Sequence, residues 1–377
     1  MKNIYLDNAA TTYLRPEVIL EMTKSLQADF GNPSSTHSFG RHSKSIVALS
    51  RKKIATLIGA TSAEIIFTSG ATEANNWILK SAVCDLNLRR IITSKIEHQA
   101  VLQTIIALKK SEDIEVDFVQ TDPNGQVDLT HLVALLSQNK PTLVSLMLVN
   151  NEIGNLLNIE KIVKICNQYK AFFHTDAVQA IGKIPIDLTR LPIDFLVASA
   201  HKFHGPKGAG FVYIKKGLPI KPLFFGGEQE KSLRPGTESI HNIVGMTKAL
   251  QMAVEELDDI SNHILALKNY TLKNLKKHFI NLKLNGDFEA ASPYILNVML
   301  PIATDKAAML LFHLDLKGIA VSRGSACQSG SLKGSHVLNE ILSPEDLKPP
   351  SIRISFCYNN TFEEIDTLIA ALIAINT

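Results

Sequence analysis

Short apolar runs recur along the first two thirds of the chain, spaced so that a helix fits between them. They are Glu64–Thr68 (EIIFT), Arg90–Thr93 (RIIT), Ile114–Val119 (IEVDFV), Thr142–Val149 (TLVSLMLV), Ala171–His174 (AFFH), Phe195–Ala198 (FLVA) and Gly210–Ile214 (GFVYI). Several are apolar on both faces. Such strands, separated by amphipathic stretches like Ile159–Tyr169 (IEKIVKICNQY), predict an α/β fold with a mostly parallel, seven-stranded sheet covered on both sides. This pattern ends near residue 250. A long helical pattern then runs from Thr247 through Phe279, and the remainder alternates helices with fewer strands. A large α/β domain over residues 16–250 and a small α+β domain over residues 251–377 are therefore expected.

Length supports two units, because 377 residues exceed the roughly 250–300 at which single cores stop growing. The apolar and charged fractions, 45% and 20%, are ordinary globular values and exclude disorder, fibres and coiled coils. Thirty-nine Lys and Arg against 36 Asp and Glu is too even a balance for a nucleic-acid groove or a polybasic membrane face. The start, MKNIYLDNAATT, lacks the apolar core of a secretory signal, and the longest apolar run, Leu368–Ile375, falls far short of the roughly 20 residues of a spanning helix. The four cysteines, Cys84, Cys166, Cys327 and Cys357, form no C-x-x-C pair, so neither a disulfide framework nor a zinc site is expected, and a cytoplasmic setting fits. Cys84 and Cys166 fall in helical patterns and are expected to be buried.

In open α/β sheets ligands bind outside the carboxyl ends of the strands, and the residues just after each strand carry the chemistry here. EIIFT is followed by Ser69-Gly70-Ala71-Thr72-Glu73, a small-residue turn opening a helix. It offers backbone N–H groups to a phosphate, although by itself it also reads as an ordinary capped turn. RIIT leads to Glu97-His98, AFFH to Asp176 and Gln179, and FLVA to Ser199-Ala200-His201-Lys202-Phe203-His204-Gly205-Pro206. No G-x-x-x-x-G-K-[ST] occurs, and GPKGAG at Gly205–Gly210 has the wrong glycine order for a dinucleotide turn. A phosphate turn, an imidazole, an acid and a lysine at strand ends together meet the needs of pyridoxal 5'-phosphate. The phosphate takes N–H and hydroxyl donors, the pyridine nitrogen takes a carboxylate, and the aldehyde takes an amine.

The segments YLDNAATT (Tyr5–Thr12), GNPSSTH (Gly31–His37), TSGATEANN (Thr68–Asn76), EHQAV (Glu97–Val101), VNNEIG (Val149–Gly154), HTDAVQAIGK (His174–Lys183), SAHKFHGPKGAG (Ser199–Gly210), RPGTES (Arg234–Ser239), SRGSACQSGS (Ser322–Ser331) and SIRIS (Ser351–Ser355) run nearly end to end. In these the chain resembles the NifS/IscS-type cysteine desulfurases, fold type I enzymes of the class V aminotransferase superfamily. The resemblance implies Lys202 as Schiff-base lysine, Asp176 as partner of the pyridinium nitrogen and His98 as the ring stacked on the cofactor. Ala71, Thr72, Ser199 and His201 would hold the phosphate, with Thr237 reaching it from the other subunit of a homodimer with shared sites. Asn151 and Gln179 would sit near the phenolic oxygen, and residues 1–15 would join the small domain.

Cys327 lies in SRGSACQSGSLKGS (Ser322–Ser335), a Ser- and Gly-rich stretch without apolar periodicity that reads as an exposed, mobile loop. Arg323 and Lys333 nearby favour a thiolate. Cys357 is the competing thiol. The run Ile352–Cys357 (IRISFC) alternates, placing Arg353, Ser355 and Cys357 on one strand face. Arg353 then suits capture of a substrate carboxylate, the resemblance implies Asn32 and Asn151 nearby, and Cys357 takes a packing role. The resemblance implies L-cysteine as substrate, L-alanine as product and a persulfide on Cys327. That persulfide would pass to an acceptor protein for iron–sulfur cluster assembly or tRNA thiolation. No resident metal is implied, although Cys327 is placed to ligate an iron–sulfur cluster transiently. A class V aminotransferase, a selenocysteine lyase and a noncatalytic assembly partner that binds the cofactor are the alternatives.

Overall fold

The computed structural model describes residues 3–307, 309–323 and 334–376. Cys327 and Lys333 lie outside the described residues. Twelve strands follow in chain order: β1 (Ile4–Tyr5), β2 (Ile65–Thr68), β3 (Arg90–Thr93), β4 (Glu115–Phe118), β5 (Thr142–Ser145), β6 (Phe172–Asp176), β7 (Phe195–Ser199), β8 (Gly210–Ile214), β9 (Lys283–Leu284), β10 (Ile295–Met299), β11 (Ile319–Ala320) and β12 (Ser351–Ser355).

Strands β2 to β8 form one seven-stranded sheet in the order β2-β8-β7-β6-β5-β3-β4. The five central and far-edge strands run parallel, whereas β8 is antiparallel to both β2 and β7. Strands β2, β3, β5, β7 and β8 are buried throughout, as their continuous apolar runs require. The edge strand β4 is polar and exposed, which suits a strand with one unpaired side. One core lies on one face of this sheet, built from residues such as Ile54, Phe67, Val144, Phe173 and Phe211. The other face is filled by Trp77, Ile91, Val101, Phe195 and Val212.

Register decides where the site falls. Gly210, the first residue of β8, pairs with Thr68 at the end of β2 and with Ser199 at the end of β7. The two strands that precede the small-residue turn and the Lys202 turn therefore finish level with each other, on either side of Gly210. Thr93 pairs with Ser145, and Asp176 with Val197, so the remaining carboxyl ends align along the same sheet edge.

A further core gathers Ile4, Leu6 and Ala9 with Ile264, Leu296, Leu314, Ile354 and Leu368. It is built on β10 flanked by β12 and β9, the parallel pair β1–β11, and the helices Leu257–His278 and Phe362–Asn376. The expected single helix from Thr247 to Phe279 is two, Ile240–Glu255 and Leu257–His278, joined at Glu256 with φ −102° and ψ 10°. The break carries no Gly or Pro. It arises because the first helix packs on Pro16–Ala28 and Ser38–Leu57, while the second turns away to pack on the terminal helix. Cys84 is exposed, contrary to expectation, because it is the last residue of the helix Ala71–Cys84; Cys166 and Cys357 are buried. Among the described residues no helix is long and apolar enough to cross a membrane.

Candidate active site

The aligned strand ends open onto a cavity of about 480 Å³ lined by Ala71, Thr72, His98, Asn151, Asp176, Gln179, Ser199, His201, Lys202 and Arg353. The small-residue turn folds as it does because Gly70 takes φ +150°, a conformation that residues with a Cβ rarely adopt. It caps the helix Ala71–Cys84 without a side-chain hydrogen bond. Ser69 N–H donates to Glu73 Oε2 at 2.8 Å, so the carboxylate three positions into the helix closes the turn from below. The first helical N–H groups then face the cavity with the positive end of the helix dipole. Glu73 is in turn gripped by Arg234, Nε to Oε1 at 2.9 Å, and this pairing holds its carboxyl below the usual range although burial opposes it.

Asp176 ends β6 and is 4% exposed. Asn75 Nδ2 donates to its Oδ2 at 2.7 Å and Val178 N–H to its Oδ1 at 3.0 Å. Both oxygens keep a lone pair for a donor in the cavity. His98 caps the helix Gln99–Ser111, with its Nδ1 accepting from Ala100 N–H at 3.1 Å. That bond leaves Nε2 to carry the ring proton. Burial holds the imidazole below its ordinary pKa; Asp176 opposes this, while Lys202 and His336 add to it. The backbone just before His98 is fixed as well, since Glu97 accepts from Met147 N–H and Ser94 Oγ, both at 2.9 Å.

Lys202 lies in the turn after β7 and points its Nζ at the carbonyl oxygens of Ala9 and Ala10, each at 2.7 Å. The N-terminal segment thus lies across the lysine turn. Thr12 N–H donates to His201 O at 2.9 Å, and Thr11 Oγ1 bonds His201 Nδ1 at 3.1 Å. Burial pushes His201 down to about 4, so it is neutral near pH 7.

Arg353 is 1% exposed. Its Nη1 donates to Asn151 O and its Nη2 to Asp7 Oδ1, both at 2.8 Å, while its buried Nε has no partner among the described residues. A buried guanidinium edge with a free donor is what a carboxylate ligand satisfies.

Two predicted residues lie off this cavity. Asn32 is exposed, and its Oδ1 accepts from Ser34 N–H at 2.9 Å within its own turn; its own chain does not bring it to Arg353. Thr237 is exposed and lines an adjoining hollow with Ser69 and Gly208. Its loop is pinned by the buried pair Arg51–Glu230, Nη2 to Oε1 at 2.5 Å, with Phe67 N–H also donating to Glu230 at 2.8 Å. Sequence reasoning missed Asn75, Asp7 and the carbonyls of Ala9 and Ala10. Asn75 was findable, since it lies three residues after Thr72 and so shares its helix face. The other contacts span the length of the chain.

All three described thiols are shifted toward the protonated form. Burial pushes Cys357 up to about 11 and Cys166 up to about 12, and it raises Cys84 as well. Cys357 is further tied down, with Sγ 3.0 Å from Asn359 Oδ1.

A model of the aminotransferase class-V family matches residues 4–368. The chain is 42% identical over 373 residues to the cysteine desulfurase IscS of Dictyoglomus turgidum, covering 98% of this chain and 94% of that one. It is 43% identical over 370 residues to the putative cysteine desulfurase IscS 1 of Bacillus subtilis, covering 97% of each. A solved NifS-like protein superposes with a TM-score of 0.91 at 37% identity, over 99% of both chains. With its sheet order, the cavity at its strand ends and these full-length likenesses, the chain belongs to the class-V aminotransferase family.

Proposed function

We propose that the chain is a pyridoxal-phosphate-dependent cysteine desulfurase that takes the sulfur of L-cysteine onto Cys327 and leaves L-alanine. One observation carries the reading: an amine (Lys202), a buried carboxylate (Asp176), an imidazole (His98), a helix N-terminus and a buried guanidinium (Arg353) converge on one cavity. That donor set fits the cofactor. When bound, pyridoxal phosphate supplies an electron sink that labilises the substrate's α-hydrogen and activates its Cβ–S bond.

Lys202 would carry the cofactor and, once displaced by the substrate amine, take the α-proton on Nζ. Asp176 would keep the pyridine nitrogen protonated, with Asn75 and Val178 N–H orienting its oxygens. His98 would pack on the ring and pass protons at Nε2. Ala71, Thr72, Ser199 and His201 would hold the phosphate, joined by Thr237 from a second copy in a homodimer. Asn151 and Gln179 would face the phenolic oxygen, and Arg353 would take the substrate carboxylate at its free Nε edge.

The sulfur step falls to Cys327. Its thiolate attacks the substrate sulfur, the Cβ–S bond breaks with its electron pair left on carbon, and protonation there completes alanine. Reach supports this. Ser322 exchanges backbone hydrogen bonds with Arg353, at 2.7 and 3.2 Å, and Ser335 Oγ bonds Glu152 Oε2 next to Asn151. Both ends of the segment bearing Cys327 are therefore anchored at the substrate residues. Five residues of extended chain from Ser322 span up to about 17 Å. The free thiols of Cys84, Cys166 and Cys357 support a reducing, cytoplasmic setting, where the persulfide would serve an acceptor protein. Lys202→Ala tests the site: it is expected to lose both the visible absorbance of bound cofactor and alanine release, and alanine formation retained by the variant would contradict the reading.

A further inference from the structure

Lys183 is buried, 6% exposed, one turn beyond Gln179. Its Nζ donates to Gln179 Oε1 at 2.8 Å and lies 5.5 Å from the centre of the Tyr294 ring. Gln179 Nε2 donates to Ala9 O at 2.8 Å, and the same carbonyl accepts from Lys202 Nζ at 2.7 Å. An unbroken path of hydrogen bonds therefore joins a buried lysine outside the cavity to the amine inside it.

The chemistry of this path has one consistent polarity. A lysine has donors and, when protonated, no acceptor, so the amide must turn its oxygen toward Lys183. Ala9 O accepts only, so the amide must turn its NH2 the other way. Both neighbours thus select the same orientation, in which one N–H goes to Ala9 and the second remains for an acceptor in the cavity. Without Lys183 only the Ala9 carbonyl, already bonded to Lys202, selects between the two amide orientations, and among the described residues nothing else bonds Oε1.

We propose that Lys183 is a positioning residue that locks the Gln179 amide with its N–H edge, rather than its oxygen, toward the phenolic oxygen of the cofactor. The inference rests on the reading of Gln179 given under Proposed function. Burial brings Lys183 down to about 7, helped by Lys202 and Arg353 and opposed by Cys357. The neutral amine can accept as well as donate, so the lock is strict below that range, and above it the Ala9 carbonyl decides the orientation.

The test is the pH midpoint of the visible absorbance of the purified holoenzyme, which reports how strongly the phenolic oxygen is hydrogen-bonded. Gln179→Leu removes the donor and is expected to raise the midpoint by roughly one unit. Lys183→Met is expected to raise it by a comparable amount, and the double variant by no more than Gln179→Leu alone. Lys183→Arg, which keeps a donor, is expected to stay near the wild-type midpoint. If Gln179→Leu leaves the midpoint unchanged, the placement of Gln179 fails and the inference falls with it. If Gln179→Leu shifts it and Lys183→Met does not, only the role of Lys183 is overturned. A further shift in the double variant overturns it too, because Lys183 would then act by its charge and not through the amide, and so does a Lys183→Arg shift as large as that of Gln179→Leu, because a retained donor would then not hold the amide.

Discussion

Arg353 and Asp7 form an ion pair, Nη2 to Oδ1 at 2.8 Å, in which the arginine is almost wholly buried and the aspartate is 17% exposed. The pair fixes the guanidinium, leaves its Nε without a partner among the described residues, and ties the start of the chain to β12. Removing the guanidinium removes a charge-assisted hydrogen bond to the substrate carboxylate, worth about 1.5–3 kcal/mol. Arg353→Ala is expected to lower kcat/KM for L-cysteine roughly 10- to 150-fold, mainly through KM, and steady-state kinetics read it directly.

The buried pair Arg51–Glu230 anchors the loop that bears Thr237. That loop holds Glu230, Lys231 and Ser232 at positive φ, between 47° and 63°, an arrangement that L-residues keep only when their surroundings enforce it. Arg51→Met strands the Glu230 carboxylate in a nearly dry site and is expected to destabilise the chain by about 3–5 kcal/mol. Arg51→Met combined with Glu230→Gln should cost less than Arg51→Met alone. Denaturant midpoints of the two variants check the order.

Gly210 packs β8 against the small-residue turn. A Cβ there would come 2.5 Å from Ala198 O and 2.8 Å from Gly70 Cα, so Gly210→Ala must push the turn away from Ser199. Overpacking of this kind costs about 1–3 kcal/mol. Faster loss of cofactor on dialysis than in wild type is the expected result.

The seven strands of the main sheet were legible within a few residues because apolar runs recur between longer spacers, and only the edge strand β4 has charges within its run. The antiparallel direction of β8 was not, since a buried strand looks the same in either direction. Lys202, Asp176 and His98 were legible because each follows a strand, and strand ends share one edge once the sheet forms. What closes the site was hidden. The carbonyls of Ala9 and Ala10 meet Lys202 across most of the large sheet's sequence, and Asp7 meets Arg353 from the other end of the chain. Such contacts leave no local periodicity. The exposure of Cys84 and the break at Glu256 were missed for one reason: a helical pattern shows which face is apolar, not where tertiary packing ends the helix.

Three histidines, the buried His174 and His204 and the half-buried His201, are each held down to about 4, with burial the largest cause. Unfolded, they titrate near 6.5. Between those values the unfolded state binds more protons, so stability present above 6.5 is lost as pH falls toward 4. Glu97 acts in the opposite sense, because burial raises its carboxyl from 4.5 to about 8, and the stability its proton gives declines as pH rises through that window. Three groups against one predict a net fall in melting temperature on acidification from pH ~7 to ~5. His174→Gln, which removes one of the three without touching the cavity, should flatten the fall.

The central claim is that Cys327 receives the sulfur, and the release of alanine and sulfide from L-cysteine in the presence of a thiol reductant, compared between wild type and Cys327→Ala, tests it most directly. The account predicts that wild type releases both in equal amounts, whereas the variant keeps the visible absorbance of its cofactor and loses turnover. A Cys327→Ala variant as active as wild type would contradict the account and leave a transaminase or lyase on the same fold in its place.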